Sequence, residues 1–522
     1  MIKDDQYFTD GICNEILTSI SKIGGLNVMS RTTMLQYKNT KKTIKQISEE
    51  IGADVLLEGA VQKSQNNVRI NIQLMDAKND KHLWAETYDR EMKDVFAIQT
   101  DIAKEVAAAL NTALTEKEKS LFDETPTRNS QAYDFYLKGN NYAGSFWDYS
   151  KVDEVPQAIR MYEEAIRLDG KFTSPYGALI ELYAGISFNK PFLNTDVYRV
   201  KAKEWLDKML ALNIDDAHVH NAIAIYRYKA ERDYGTALDE LSIVDKILGN
   251  GKSTYMLRAD ILRRMGRVDE ALGYLKKQAD LFPKIARFWS ELAETYKLKR
   301  DFDSSVYYIN KAIKIGPDLA GLYVNKSMYY AELKGDLATA FSVLKNASSL
   351  VDTNKFEHEF VYLEILKGNY DNAIRLSTKN TDTMGVLWQF KIVPNDLVIA
   401  LIYHVQGRHD EAKFYFRKTY DLTFPLSKQY PDDFRVHAVL GIALAGLREK
   451  EKGISEGKQA CDMMPVSKDA LLGISSLESL ALIYTLLGED DAAVDILQQL
   501  LKMPFAWTMR NSIPLYKMFY YW

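Results

Sequence analysis

The chain has 522 residues, 47% hydrophobic and 26% charged, and its 67 basic and 71 acidic side chains leave a net charge of −4. That length exceeds what one hydrophobic core serves and calls for several domains or an extended array, while the near-balance of charge argues against a nucleic-acid binder that works through its overall field. The two cysteines, Cys13 and Cys461, lie far apart without metal-ligand spacing, which argues against a disulfide framework.

In chain order, residues 10–23 carry Ile12, Ile16, Leu17 and Ile20 at helical spacing. Residues 26–29, after the Gly24-Gly25 turn, predict a short strand. Residues 43–51 predict a second helix with Ile44, Ile47 and Ile51 on one face. The period then changes to two: Val68, Ile70, Ile72 and Leu74 alternate with Arg69, Asn71 and Gln73, as on a strand with one wet face. That strand pairs with residues 54–61 through a turn at Asn66-Asn67, and with residues 82–88 after it. Residues 1–95 therefore predict a small α+β domain. An alanine-rich helix, from residue 92 to about residue 121, is expected to lead away from it, with 96–130 as connector and Thr125-Pro126-Thr127 marking the boundary.

Several motifs in this region carry a family resemblance. Phe8-Thr9-Asp10-Gly11-Ile12, Ser30-Arg31-Thr32, Leu57-Glu58-Gly59-Ala60-Val61 and Leu83-Trp84-Ala85-Glu86-Thr87-Tyr88-Asp89-Arg90 resemble the TolB-amino-terminal-like (FlgO-like) domain, and the match extends over about residues 5–105. In bacterial signalling proteins that domain precedes tetratricopeptide repeats. The resemblance implies a parent protein with an output module such as a nucleotide cyclase, a kinase or a transcription regulator. It also implies an amino-terminal strand ahead of the first residues here, so the sheet is expected to lack one strand, or to take it from elsewhere. The aromatic residues 518–522 resemble a carboxy end cut before a final helix.

From residue 131 onward the pattern is helical and paired. Pro283 and Pro317 lie 34 residues apart, with Trp289, Leu292, Ala293 and Tyr296 on a first helix and Ile309 and Ala312 on a second. Small residues recur at Ala158, Ala165, Ala202, Ala237, Ala259, Ala271, Ala340, Ala373, Ala400, Ala412, Ala460, Ala481 and Ala493. This looks like the tetratricopeptide repeat, in which small side chains let helices approach and stack into a superhelix. About ten such units over 131–522 predict a mainly α fold, a helical solenoid preceded by the α+β domain. Residues 190–195 and 378–396 break the period and predict a bend or split.

Chemistry is hard to find. His218 and His220 stand two apart, which is poor geometry for a shared metal on a helix. Glu357-His358-Glu359 lacks the second histidine of a zinc-hydrolase helix. Neither a phosphate-binding glycine loop nor a nucleophile elbow occurs. The expectation is a non-catalytic scaffold without cofactor or metal that binds a protein or peptide. Nucleic-acid binding and membrane insertion are not expected of it, and homo-oligomerisation is open. Its concave groove is expected to present Met256, Asp260, Arg263, Arg264, Arg287, Ser290, Glu294, Lys297, Val324 and Met328. The four basic residues would form a strip for partner carboxylates, with Asp260 and Glu294 placed to neutralise it. The other reading is a small-ligand or cell-envelope binding α+β domain with the repeats as spacer or oligomerisation element. The compartment stays open between cytoplasm and periplasm.

Overall fold

The computed structural model describes residues 6–503, except 22, 24, 30–33, 35–36, 38–39, 65–66, 92–93, 117–118, 120–125, 144–153, 190–194, 250, 348–350, 352–355, 380–385 and 388–389. The chain divides into two units. The first holds residues 1–186, 196–255 and 278–285; the second holds 187–195, 256–277 and 286–522.

In the first unit, the period-two stretch is the middle strand of an antiparallel meander. It comprises β1 (Val55–Ser64), β2 (Asn67–Asp76) and β3 (Lys81–Glu91), in that order. Leu57 pairs with Leu74, and Ile70 lies between Val61 and Tyr88. Val68, Ile70, Ile72 and Leu74 are buried, while Arg69 and Asn71 face out. Helix α1 (Gln6–Ser21) packs its Phe8, Ile12, Ile16 and Ile20 into the same core. Helix α2 (Ile44–Ile51) starts on a capping box, Thr43 with Gln46, and ends at Gly52 with φ 71°. Its Ile47 and Ile51 make a smaller cluster with Leu56 and Ala77.

Two expectations are corrected here. Residues 26–29 form no strand: a strand needs a neighbour for its backbone groups, and they pair with neither β1 nor β3, the edges of the described sheet. Leu26 and Val28 serve instead as partly buried cover on the core. The helix expected to lead away, α3 (Val95–Ala109), turns back onto the sheet. It buries Val95, Phe96, Ile98, Ile102, Ala103 and Val106.

The same core continues into the first array helix, α4 (Ser130–Ala143), through Ala132, Tyr133 and Leu137, and reaches Phe172. The Gln99 amide donates to the Tyr133 hydroxyl at 2.9 Å inside it. Gly11 lets α1 lie against α4, because a Cβ there would meet the Leu137 side chain at 2.5 Å. Asp134 binds the Tyr7 hydroxyl at 2.7 Å, Lys138 at 2.9 Å, and also the Lys63 ammonium of β1. Burial raises its pKa, but these three donors outweigh it and hold the carboxyl below its ordinary range. Physically, then, the α+β region, α3 and the opening repeat share one core.

Helix pairs follow. The first unit continues with α5 (Val155–Leu168), α6 (Thr173–Asn189), α7 (Thr195–Leu210), α8 (Ala217–Tyr226) and α9 (Tyr234–Leu248). Next come α10 (Tyr255–Arg264), α11 (Val268–Leu281), α12 (Ala286–Leu298), α13 (Phe302–Ile315), α14 (Ala320–Tyr329), α15 (Leu337–Ala347), α16 (Glu357–Lys367) and α17 (Tyr370–Lys379). A two-strand ribbon, β4 (Val386–Leu387) with β5 (Ile392–Val393), precedes α18 (Asn395–Val405). The series closes with α19 (His409–Gln429), α20 (Phe434–Gly446), α21 (Lys450–Met463), α22 (Ala470–Leu487) and α23 (Asp490–Lys502).

The recurring alanines are wedged as a stacked array requires: Ala158, Ala165, Ala202, Ala237, Ala259, Ala271, Ala293, Ala312, Ala340, Ala373, Ala400, Ala460 and Ala481 are all fully buried. Turns between paired helices use the left-handed region, with glycine at 266, 335, 407 and 488 but arginine at Arg300 and Arg448. These arginines have a use. Arg448 donates to the Leu486 carbonyl at the end of α22, and Arg300 donates to Leu500, Leu501 and Met503 at the end of α23. The expected break near 378–396 is the β4–β5 ribbon, whose Ile392 and Val393 enter the core of the second unit. Of the break expected at 190–195, residues 190–194 lie outside the described residues, as do the terminal aromatics 518–522.

Candidate functional site

Ten residues were expected to line one groove, and all belong to the second unit. The structure spreads them over very different environments. Arg287 is exposed, and Met256, Ser290 and Asp260 are half-buried. Val324 and Met328 are buried in a core cluster with Tyr323, Leu344 and Leu363.

The basic strip does not stand open. Arg263 donates to Glu291 at 2.9 Å and also pairs with Asp260. Burial works against its charge, but the two carboxylates outweigh that and hold it protonated. Arg264 is 4% exposed and donates to Asp469 at 3.0 Å. Its guanidinium lies 4.8 Å from the Phe188 ring centroid and 5.1 Å from that of Phe390. Asp469, fully buried, also accepts from the Leu471 and Leu472 amides and so caps α22. Lys297 is 2% exposed, with its ammonium 2.7 Å from Glu332. Glu294, expected to neutralise the strip, accepts instead from the Tyr329 hydroxyl at 2.5 Å. Of the four basic residues, three are consumed inside the unit, because buried charge must be paired. Arg287 alone of them stays exposed.

Helix α22 and Phe390 pack against the same helices that carry this strip. Val268, Leu298 and Leu471 form one cluster with Phe390 against it. The Ser475 hydroxyl donates to the Phe390 carbonyl at 3.0 Å, and Lys391 pairs with Glu478. Helix α22 is long and apolar enough to cross a bilayer by length and composition, with a mean hydropathy of 1.7. Here it is a core helix, with Glu478 buried and neutralised by Lys391. Sequence reading missed Asp469, Phe390 and Lys391, and with them the partner of Glu478. A lone carboxylate inside the apolar run 477–487 was the available signal, since an acid there requires a buried cation.

Two histidines have both ring nitrogens against acceptors. His220 lies 2.5 Å from Glu240 and 2.7 Å from Asp215. His437 lies 2.5 Å from Glu456 and 2.8 Å from the Pro431 carbonyl. Burial opposes protonation in each, and the acceptors outweigh it, raising both pKa values. Among the described residues, no group of three or more histidine, cysteine or acidic side chains has metal-binding geometry.

The fold defines a tetratricopeptide-repeat solenoid preceded by a small α+β region. Tetratricopeptide-repeat families match residues 256–320, 397–423 and 476–505. Residues 3–105 match the family described as HilA/YgeH-like transcriptional regulator, second domain. That span includes most of α3, in line with its place in the core. A curated relative, "Putative adenylate cyclase 3" of Rhizobium meliloti (strain 1021), is 32% identical over 173 residues, which is 33% of this chain and 29% of the length of that protein. Among solved structures, a human IFIT1 dimer with m7Gppp-AAAA has a TM-score of 0.36 at 14% identity, covering 71% of this chain and 78% of that one. The APC/C hetero-tetramer Cut9-Hcn1 has a TM-score of 0.31 at 14% identity, covering 82% and 84%. At these scores neither structure carries an inference about function.

Proposed function

We propose that this chain is a non-catalytic scaffold that docks a protein partner on its repeats, as the docking or sensory part of a bacterial signalling or regulatory protein. The observation that carries this reading is the row of fully buried alanines between stacked helices, which makes a solenoid whose residue chemistry is packing and pairing. The likeness of one third of the chain to a protein named an adenylate cyclase, and of residues 3–105 to a regulator's second domain, supports a signalling setting. The TolB-amino-terminal-like resemblance of the sheet motifs fits the same setting. The α+β region shares its core with the first repeat, so a partner docked on that repeat bears on the region through packed side chains.

The test is photo-crosslinking of the full-length chain in cells, with crosslinks mapped by mass spectrometry. A defined partner crosslinked to residues 131–503 supports the reading. Crosslinks confined to residues 6–109, or to a small ligand there, would instead favour ligand binding by the α+β region.

A further inference from the structure

The residues Phe390 to Val393 interrupt the repeat register, yet they are gripped more closely than a loop requires. The Phe390 ring faces the Arg264 guanidinium at 5.1 Å and packs against the cluster of Val268, Leu298 and Leu471. Its carbonyl is held by Ser475, and the next residue, Lys391, reaches Glu478. These groups come from α10, α11, α12 and α22, which are far away in sequence. An aromatic anchor, a held backbone carbonyl and one buried charge are the means by which a helical surface binds an extended peptide.

The grip is also imperfect. Glu478 is 3% exposed and its Oε1 receives no hydrogen bond. An ammonium serves one carboxylate oxygen well, whereas a planar guanidinium serves both.

We infer that this is a peptide-binding site occupied by the chain's own segment, and that its external ligand is an extended stretch of a partner protein with an aromatic residue followed by arginine. This rests on the scaffold reading and names the chemistry of its partner. The stretch Phe390 to Val393 is a tethered competitor. The ligand must displace it, so the site opens only to a partner at high local concentration or with the better-matched cation.

The experiment uses the full-length chain and a fluorescent octapeptide with the sequence of residues 386–393, in a lysine form and an arginine form. Binding is read by fluorescence anisotropy. The variant Phe390→Ala/Lys391→Ala is expected to bind the peptide about tenfold or more tightly than the natural chain does, and the arginine form more tightly than the lysine form. Adding Glu478→Gln is expected to remove the preference for arginine. Circular dichroism checks the helix content. Should the double variant lose it, Lys391→Gln, which keeps the apolar anchor, replaces it as the opened chain. Equal binding to the natural and opened chains, or no binding by a folded opened chain, overturns the inference. A partner that crosslinks to the repeats regardless of these substitutions leaves the scaffold reading standing and this inference lost.

Discussion

Arg264 and Asp469 are 205 residues apart in sequence and 3.0 Å apart in the structure, and both are almost wholly buried. The contact ties the opening helix of the second unit to the capped start of α22. Removing one partner strands the other charge away from water. Asp469→Ala is expected to cost about 3–5 kcal/mol in urea unfolding, with a further ~1 kcal/mol for the lost helix cap. In the Arg264→Met background the same substitution is expected to cost much less, and strict additivity would show that the pair is not coupled.

The histidine geometry sets a sign for pH dependence. His437 and His220 have folded pKa values raised above about 6.5. Their stabilisation is therefore fully present below the unfolded value near 6.5, and is lost as pH rises through the higher folded value. His404 works the other way: burial, then Arg448 and His409, lower its pKa, so it destabilises as pH falls below about 6.5. The difference in melting temperature between the natural chain and His437→Gln isolates one site. It is expected to be largest near pH 6 and to shrink on going to about pH 9. A difference that grows with pH would contradict the doubly bonded imidazolium.

Asp134 carries three donors from α1, β1 and α4. Asp134→Ala leaves two ammonium groups beside apolar rings and is expected to cost about 2–4 kcal/mol. Hydrogen exchange is expected to quicken together in α1, β1 and α4. Because the carboxyl is held below its ordinary value, its contribution is present above about pH 3.8–4 and is lost as pH falls through the folded value. Protection lost in α4 alone would refute a shared core.

Ala293 is fully buried within α12. Ala293→Leu forces methyl groups into a closed helix contact and is expected to destabilise by about 1–3 kcal/mol, read by thermal melting. The same change at exposed Ala97 should be nearly neutral.

Arg300 sits at φ 58° and donates to three carbonyls at the end of α23. Arg300→Gly relieves about 1 kcal/mol of backbone strain but leaves those carbonyls to water. Arg300→Ala keeps the strain and loses the donors. The alanine variant is therefore expected to be the less stable of the two by about 1 kcal/mol, with faster exchange confined to 490–503. Equal stability of the two would mean that the backbone term is absent.

Local periodicity carried most of the architecture. The alternation of Val68 to Leu74 fixed the middle strand, and Trp289, Ala293 and Ala312 fixed a helical pair, since each pattern is a statement about neighbours within a few residues. The groove was much less legible. Arg264 and Lys297 were placed on the right helices, but which charge would meet them could not be read from positions so distant along the chain. Nor could the role of α3, whose alanines fit a solvent-exposed connector as well as a core helix.

The sequence alone determined that this protein is a stack of helical pairs behind a small sheet, because burying a small side chain between helices depends only on spacing along each helix. Only the tertiary structure decided which charges stay available to a partner. It brought Asp469 to Arg264, Glu332 to Lys297 and Glu478 to Lys391, and the cost of burying an unpaired charge made those meetings obligatory.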